Sequence, residues 1–151
     1  MATRNRYYNI EGTIRSGFKL SRDYETLDFS FIKLNDDGVR ALVNSRSIKQ
    51  LKRLTINNNK LTQESGLAIA ESKWLENLQS LKLYRNKIGH EGLKALAESD
   101  KLPSLKSLRL SHNQIGPKGA KFIAESNNFG GLTSLGLSEN NLGDEGIKYL
   151  A

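Results

Sequence analysis

The chain repeats one pattern of apolar residues every 27 positions, and this repeat constrains its fold more than any other feature. The pattern appears in "LKRLTINNNKL", "LQSLKLYRNKI", "LKSLRLSHNQI" and "LTSLGLSENNL", which begin at Leu51, Leu78, Leu105 and Leu132. A copy with weaker matches begins at Tyr24. Because so many coincidences at one spacing do not arise by chance, the sequence predicts an array of one structural unit.

Each unit is predicted to contain a short strand followed by a helix. In "LKSLRLS", Leu108 and Leu110 alternate with polar residues, which indicates a strand with one buried face. So short a strand is unstable alone, but equivalent strands can stack into a parallel sheet. In "IGHEGLKALAES", Leu93 and Leu96 share one face of a helix. Matching positions in the last two units predict further core residues: Ala124, Ile147, Leu150 and Ala151.

The pattern LxxLxLxxNxL resembles that of the leucine-rich repeat family. The helical half of each unit is similar to the ribonuclease-inhibitor-like subclass and to the glycine-alanine-leucine-alanine type of bacterial repeat proteins. The resemblance covers about residues 24–151. It implies an α/β fold, a right-handed solenoid or horseshoe with a parallel sheet on the concave face and helices on the convex face. It also implies, more loosely, an adaptor or a translocated effector, and some members of this class activate small GTPases.

Residues 1–23 do not match the repeat and are predicted to form an N-terminal cap or an irregular segment, or the tail of a preceding domain. Short strands are expected there, because two glycines separate a few apolar residues: Tyr8, Ile10, Ile14, Phe18 and Leu20. The array then comprises residues 24–50, 51–77, 78–104, 105–131 and an incomplete unit, 132–151. Because the last unit stops within its helix, we expect either a truncated array or an end covered by another molecule, such as a second copy in a dimer.

Recurrent polar and small residues are predicted to be structural. A buried Asn offers donors and an acceptor to backbone groups where the chain leaves each strand. We therefore expect a ladder of Asn59, Asn86, Asn113 and Asn140. Ile32 replaces this Asn in the first unit, whose turn is expected to be satisfied differently. Gly92 and its equivalents are expected to allow a close approach of helix to sheet.

The residues that vary between units are the side chains on the concave face of the strands, where a solenoid commonly binds its partners. Adjacent strands lie about 4.8 Å apart, so neighbouring units should bring their basic residues together. An aromatic residue flanked by arginines is typical of protein-binding hot spots. We therefore predict a scaffold that binds an acidic protein through a concave patch, and the alternative is a solvated face without a partner. The patch comprises Arg53, Lys82, Tyr84, Arg85, Arg109 and His112.

On the outward side of the last two helices, Phe122 and Tyr149 replace the alanines of the other units. Two interpretations remain open for these aromatic residues. They could stack laterally between neighbouring helices, or they could contact a further segment or another chain.

Composition and charge restrict the remaining functions. The chain has no cysteine, which excludes disulfides and thiolate chemistry and fits the cytoplasm of the producing cell or of a host cell. The formal net charge of +7 favours anionic partners, so nucleic acid or an anionic membrane surface is the alternative ligand. No apolar run is long enough for a membrane-spanning helix.

An enzyme is not expected. The chain has two histidines, His90 and His112, and repeat geometry places no nucleophile beside either. Glu139 follows in the next unit and is interpreted as an ion-pair partner of His112. No metal site and no cofactor are expected.

Overall fold

The computed structural model describes residues 9–151, and in this part of the chain it shows five strands and six helices. The strands are β1 (Thr26–Asp28), β2 (Arg53–Thr55), β3 (Ser80–Lys82), β4 (Ser107–Arg109) and β5 (Ser134–Gly136). The helices are α1 (Ile10–Ser21), α2 (Asn35–Val43), α3 (Gln63–Glu71), α4 (Gly89–Glu98), α5 (Gly116–Glu125) and α6 (Gly143–Leu150), and a 3-10 turn (Arg46–Ile48) follows α2.

The five strands form one parallel sheet in chain order, and each strand pairs with the strand one unit later. Successive helices from α2 to α6 contact one another along the other side of the sheet. The central strand leucines align across the sheet: Leu27, Leu54, Leu81, Leu108 and Leu135. This architecture confirms the predicted α/β solenoid, with the sheet on the concave face and the helices on the convex face.

The core lies between sheet and helices, and it is complete except in the last unit. Leu27, Leu54, Leu81 and Leu108 are fully buried, whereas Leu135 is only partly buried. In α6, Ile147 is 60% exposed and Leu150 is 40% exposed.

The prediction of a core position is therefore wrong for four residues, which are exposed: Ala124, Ile147, Leu150 and Ala151. The reason is that each unit is covered by the next. The Ser126 hydroxyl, for example, donates to the carbonyl of Ala97, and within residues 9–151 no later unit covers Ala124 in the same way.

Each buried asparagine holds the turn of the unit before its own. Oδ1 of Asn86 accepts from the backbone N–H groups of Asn59 and Leu61, at 2.9 and 3.1 Å. Its Nδ2 donates to the carbonyls of Ile56 and Leu83, both at 3.0 Å. Asn113 and Asn140 make equivalent bonds one and two units later. The ladder therefore joins consecutive units through groups that neither unit can satisfy alone.

This direction of bonding explains why the first unit needs no asparagine of its own. Oδ1 of Asn59 accepts from the N–H groups of Ile32 and Leu34, at 3.2 and 3.0 Å. The first turn is therefore held in the same way as the others, and the expectation that Ile32 changes how its turn is satisfied is wrong.

A second ladder, of serines, joins the units at the C-terminal ends of the helices. The hydroxyl of Ser72 donates to the carbonyl of Val43, and that of Ser99 donates to the carbonyl of Ala70, at 2.7 and 2.6 Å. Ser126 repeats the bond one unit later. In the first unit, Glu11 of α1 accepts the hydrogen bonds of Ser45 and Ser47 instead. The Ser45 bond, with that of Ser47, lowers the pKa of Glu11.

Residues 10–21 form helix α1 rather than the short strands that the glycines suggested. Asn9 caps the helix, because its Oδ1 accepts from the N–H of Gly12 at 3.0 Å. Ile10, Ile14 and Phe18 recur every four residues, which is helical spacing. Tyr8, which was also assigned to these strands, lies outside the described residues.

Helix α1 packs directly on the first unit. Ile14 and Phe18 are buried, at 1% and 7% exposed. A Cβ on Gly17 would lie 2.7 Å from Cδ2 of Leu27, so the helix backbone is close to the first strand. Tyr24, aligned with the first leucine of each unit, is 67% exposed and contacts Phe18 at a ring-centre distance of 5.9 Å. The side chains of α1 thus replace the core of a preceding unit.

Gly92 allows a close approach, but to the preceding helix rather than to the sheet. A Cβ there would lie 2.6 Å from Cγ2 of Ile88 in its own unit and 3.1 Å from Cα of Gln63 in α3.

Within residues 9–151, no helix is both long enough and apolar enough to cross a bilayer.

We predict that Asn113→Ala lowers the free energy of unfolding by about 3 kcal/mol, because buried backbone groups of two units lose their partners. Urea denaturation measures this effect. Asn128→Ala is the matched control, because Asn128 is exposed and its side chain makes no hydrogen bond within residues 9–151. Equal stabilities of the two variants would show that the ladder does not join the units.

For α1, we predict that Phe18→Ala costs about 3 kcal/mol, because a buried aromatic ring is replaced by a cavity. Leu20→Ala should change the free energy of unfolding by less than about 0.5 kcal/mol, since Leu20 is 85% exposed on the same helix. Thermal or urea denaturation distinguishes the two variants. A Phe18 variant as stable as the Leu20 variant would contradict the packing of α1 on the first unit.

Candidate functional site

The geometry of the sheet places two cations side by side on the concave face. Lys82 and Arg109 end β3 and β4, and they are direct partners in the register of these strands. Both are exposed, whereas the preceding leucines are buried, because successive side chains of a strand point to opposite faces. Neither cation has an ion-pair partner among the described residues. Like charges on directly paired strand residues are unfavourable for a sheet, and no acidic side chain offsets this pair in the described part of the chain.

An aromatic cluster lies next to the two cations. The Tyr84 and His112 rings meet edge to face, with centres 5.3 Å apart and planes at 86°. The guanidinium carbon of Arg85 lies 5.4 Å from the centre of the Tyr84 ring. The N–H of Tyr84 donates to Oδ1 of Asn57 at 2.8 Å, which fixes its backbone. Tyr84 and His112 are half-buried, so the cluster presents a firm ring surface beside the charges.

Arg85 and His112 adopt a left-handed backbone conformation, with φ of +52° and +57°. The equivalent residues of the other units, Phe31, Asn58 and Glu139, do the same. Glycine adopts this conformation most easily, yet none of the five is glycine. Phe31 is also 74% exposed. The sequence-based patch did not include Phe31. Its repeat position, which is also that of Arg85 and His112, could have identified it as a residue of the concave face.

Arg53 differs from the other predicted patch residues because acidic residues neutralise its charge. Its Nη2 lies 3.0 Å from Oδ2 of Asp23 and 3.8 Å from a carboxylate oxygen of Glu25, and its Nε donates to Oγ1 of Thr26 at 2.9 Å. The backbone N–H of Glu25 and the hydroxyl of Thr26 hold the pKa of Asp23 well below its usual range. Asp23 therefore stays ionised, and the structure groups Arg53 with α1 and β1 rather than with Lys82.

The histidines do not form the arrangement that the sequence suggested. The expected ion pair between His112 and Glu139 is wrong, because within the described part of the chain His112 contacts Tyr84 and Glu139 has no ion-pair partner. Nε2 of His90 lies 3.3 Å from Oε1 of Glu91, its neighbour in the first turn of α4. Residues 9–151 contain no cluster of three or more side chains suited to hold a metal ion.

The two cations and the tyrosine border an open concavity of about 500 Å³ over β2 to β5. Its lining contains no carboxylate. The lining residues are Asn57, Lys82, Tyr84, Ser107, Arg109, Ser111 and Ser138. Three of the predicted patch residues thus line this concavity: Lys82, Tyr84 and Arg109. His112 and Arg85 lie beside it, because both contact the Tyr84 ring.

On the convex face, the two outward aromatic residues have different surroundings. Phe122 is half-buried, and Nζ of Lys94 in the preceding helix lies 5.4 Å from its ring centre. This is a lateral contact between α4 and α5. Tyr149 is 38% exposed, and its hydroxyl lies 3.4 Å from Oε1 of Glu145 in its own helix.

Comparisons with known proteins agree with this architecture. A family model described as "Leucine Rich repeat" matches residues 75–97, 101–124 and 132–151. Among solved structures, the tropomodulin C-terminal domain from Caenorhabditis elegans is similar with a TM-score of 0.69, and the alignment covers 94% of this chain and 89% of that one. The identity is 15%, so this likeness concerns the fold alone. No curated protein sequence matches the chain.

We predict that Lys82→Glu raises the free energy of unfolding by about 0.5 kcal/mol at low salt, because it replaces a repulsion with an attraction to Arg109. Salt should weaken the gain, since both side chains are exposed. Urea denaturation at two salt concentrations measures it, with Lys73→Glu as a control of equal charge outside the sheet. A destabilised Lys82 variant would contradict the unpaired state of the two cations.

Proposed function

Because the chain is a leucine-rich repeat protein, we propose that it is a scaffold that binds an acidic protein surface through its concave face. Leucine-rich repeats generally serve as protein-interaction scaffolds. The observation that supports the choice of face is the in-register pair of Lys82 and Arg109, which lacks an acidic partner among the described residues. Side chains that repel each other in the free protein gain most from an anionic partner.

Each residue of the proposed site has a role. Lys82 and Arg109 supply the charge, and Arg85 adds a third cation beside them. Tyr84 and His112 supply a ring surface that is already ordered, so that binding orders few side chains. Tyr and Arg are also the residue types most enriched among energetically dominant interface positions. Arg53, which is paired with Asp23, would contribute only after that ion pair opens.

Nucleic acid or an anionic membrane surface is the second candidate ligand, and the net charge of +7 favours it. Two acidic residues, Asp28 on β1 and Glu139 after β5, lie on either side of the patch. Acidic residues at both ends suit a compact acidic epitope better than a long polyanion. We propose a binding role rather than a catalytic one, because neither histidine lies beside a nucleophile in the described residues.

We also infer that the described part of the segment before the array, residues 9–23, forms its N-terminal cap. The burial of Ile14 and Phe18 and the bonds of Glu11 to Ser45 and Ser47 support this role. We expect the interaction in the cytoplasm, either of the producing cell or of a host cell. A dimer through the C-terminal unit stays a prediction, which light scattering tests.

The proposed function is tested by quantitative pull-down from cytoplasmic extract with three baits. These are the wild-type chain, Lys82→Glu/Arg109→Glu, and the control Lys73→Glu/Lys118→Glu, which has the same net charge as the double variant of the patch. We expect acidic proteins that the wild type and the control retain and that the patch variant loses at least about tenfold, since buried contacts to charged groups are each worth about 1.5–3 kcal/mol.

Nuclease treatment of the extract distinguishes the second candidate. Retention by all three baits, or retention that nuclease abolishes, would contradict an acidic protein partner on the concave face. In the latter case a steep loss of affinity with salt would indicate a polyanion.

A further inference from the structure

The concavity over β2 to β5 presents hydrogen-bond donors that the protein does not use. Oδ1 of Asn57 accepts from the N–H of Tyr84, and the Nδ2 group of Asn57 makes no hydrogen bond within residues 9–151. The Ser138 hydroxyl donates to Oγ of Ser111 at 2.8 Å. The hydroxyl hydrogen of Ser111 is therefore available to another acceptor. Together with the Tyr84 hydroxyl, these groups line the same concavity as the two cations.

The Arg109 side chain lies over Gly136. A Cβ at this position would be 2.9 Å from Cδ of Arg109, 3.4 Å from its Nη1 and 3.6 Å from Oγ of Ser111. The arginine side chain therefore extends across the neighbouring strand, over the glycine, and reaches the side of Ser111. Gly136 occupies the same repeat position as Lys82 and Arg109 and is paired with Arg109 in the sheet. Because glycine has no side chain, it leaves space for the guanidinium.

We propose that this concavity binds the phosphoryl group of a phosphorylated side chain on the partner. The inference rests on the proposed function, because it specifies which acidic group the concave face takes. A phosphorylated side chain has a charge of about −1.5 to −2 and three acceptor oxygens. Lys82 and Arg109 match this charge, and the hydroxyl groups of Tyr84 and Ser111, which line the same concavity on β3 and β4, match the oxygens. A single carboxylate would leave part of the charge and several donors without a partner.

The surroundings favour one phosphorylated side chain over a chain of phosphates. Asp28 lies in the same column as Lys82, two strands away, and Glu139 follows β5. A nucleic acid strand that extended along the sheet would meet both carboxylates. The Tyr84 and His112 rings, in contrast, offer an apolar surface to the residues that flank a phosphorylated position in a peptide.

Fluorescence anisotropy with three degenerate peptide libraries tests the proposal. The libraries share random flanks and differ only in a fixed central residue, which is phosphoserine, glutamate or serine. We expect the wild-type chain to bind the phosphoserine library at least about tenfold more tightly than the other two. Arg109→Gln and Lys82→Gln should each remove about tenfold. Lys118→Gln, a charge change on the exposed face of α5, should leave binding unchanged.

The variant Gly136→Ala tests whether binding depends on the position of the Arg109 side chain as well as on its charge. The added methyl displaces the flexible Arg109 side chain, and φ at Gly136 is not positive, so the backbone accepts alanine. We expect weaker binding of the phosphoserine library by several-fold with no change in net charge. A denaturation curve like that of the wild type shows that the variant is folded.

The outcomes separate the two proposals. Equal affinity for the phosphoserine and glutamate libraries, both lost in Arg109→Gln, would overturn the phosphoryl site and leave the acidic partner standing. Binding that neither patch variant changes, or the absence of binding, would overturn the phosphoryl site, and the pull-down then decides the wider proposal independently. Tighter binding of single-stranded RNA or of phosphatidylserine vesicles, again dependent on Arg109, would assign the cations to another source of phosphate and overturn the proposal.

Discussion

Hydrogen bonds from a buried asparagine to the turn of the preceding unit are the constraint on which the whole structure depends. The backbone leaves each strand through a turn whose N–H groups face the interior, where water cannot satisfy them. Asn59, Asn86, Asn113 and Asn140 satisfy these groups across the boundary between units. A unit is therefore incomplete until the next one is in place. The serine ladder on the helical side adds the same dependence at the other end of each unit.

Because packing and the ladders use the apolar residues, the asparagines and the serines, the strand residues on the concave face are left to vary. Here that variation places two cations, Lys82 and Arg109, on directly paired strand residues, an arrangement that is unfavourable for a sheet. Gly136, the smallest residue of the same column, lets Arg109 extend over its strand. Residues that reduce stability without serving the fold are a frequent sign of a binding site. The proposed scaffold function follows from this contrast between invariant and variable columns.

The fold could be predicted from the sequence because the spacing of the leucines specifies which residues of successive units are equivalent, and equivalent leucines pack in the same way. Two kinds of feature could not be predicted in this way. Helix α1 has no copy elsewhere in the chain, and its two glycines obscured the four-residue spacing of Ile10, Ile14 and Phe18. The pairing of Arg53 with Asp23 depends on the path of the chain before β1, which the repeat does not specify. The predicted burial of Ile147 and Leu150 in α6 was also wrong, because burial there depends on a neighbouring unit rather than on the unit itself.

Hydrogen exchange in Asn86→Ala tests the central claim most directly, because it shows which unit an asparagine supports. If the side chain holds the preceding turn, the amides of Asn59 and Leu61 will exchange much faster in the variant. The amide of Ile88, in the same unit as the mutation, will keep its protection, since Oδ1 of Asn113 accepts its hydrogen bond at 3.1 Å. Faster exchange at Ile88 with unchanged exchange at Leu61 would contradict the account.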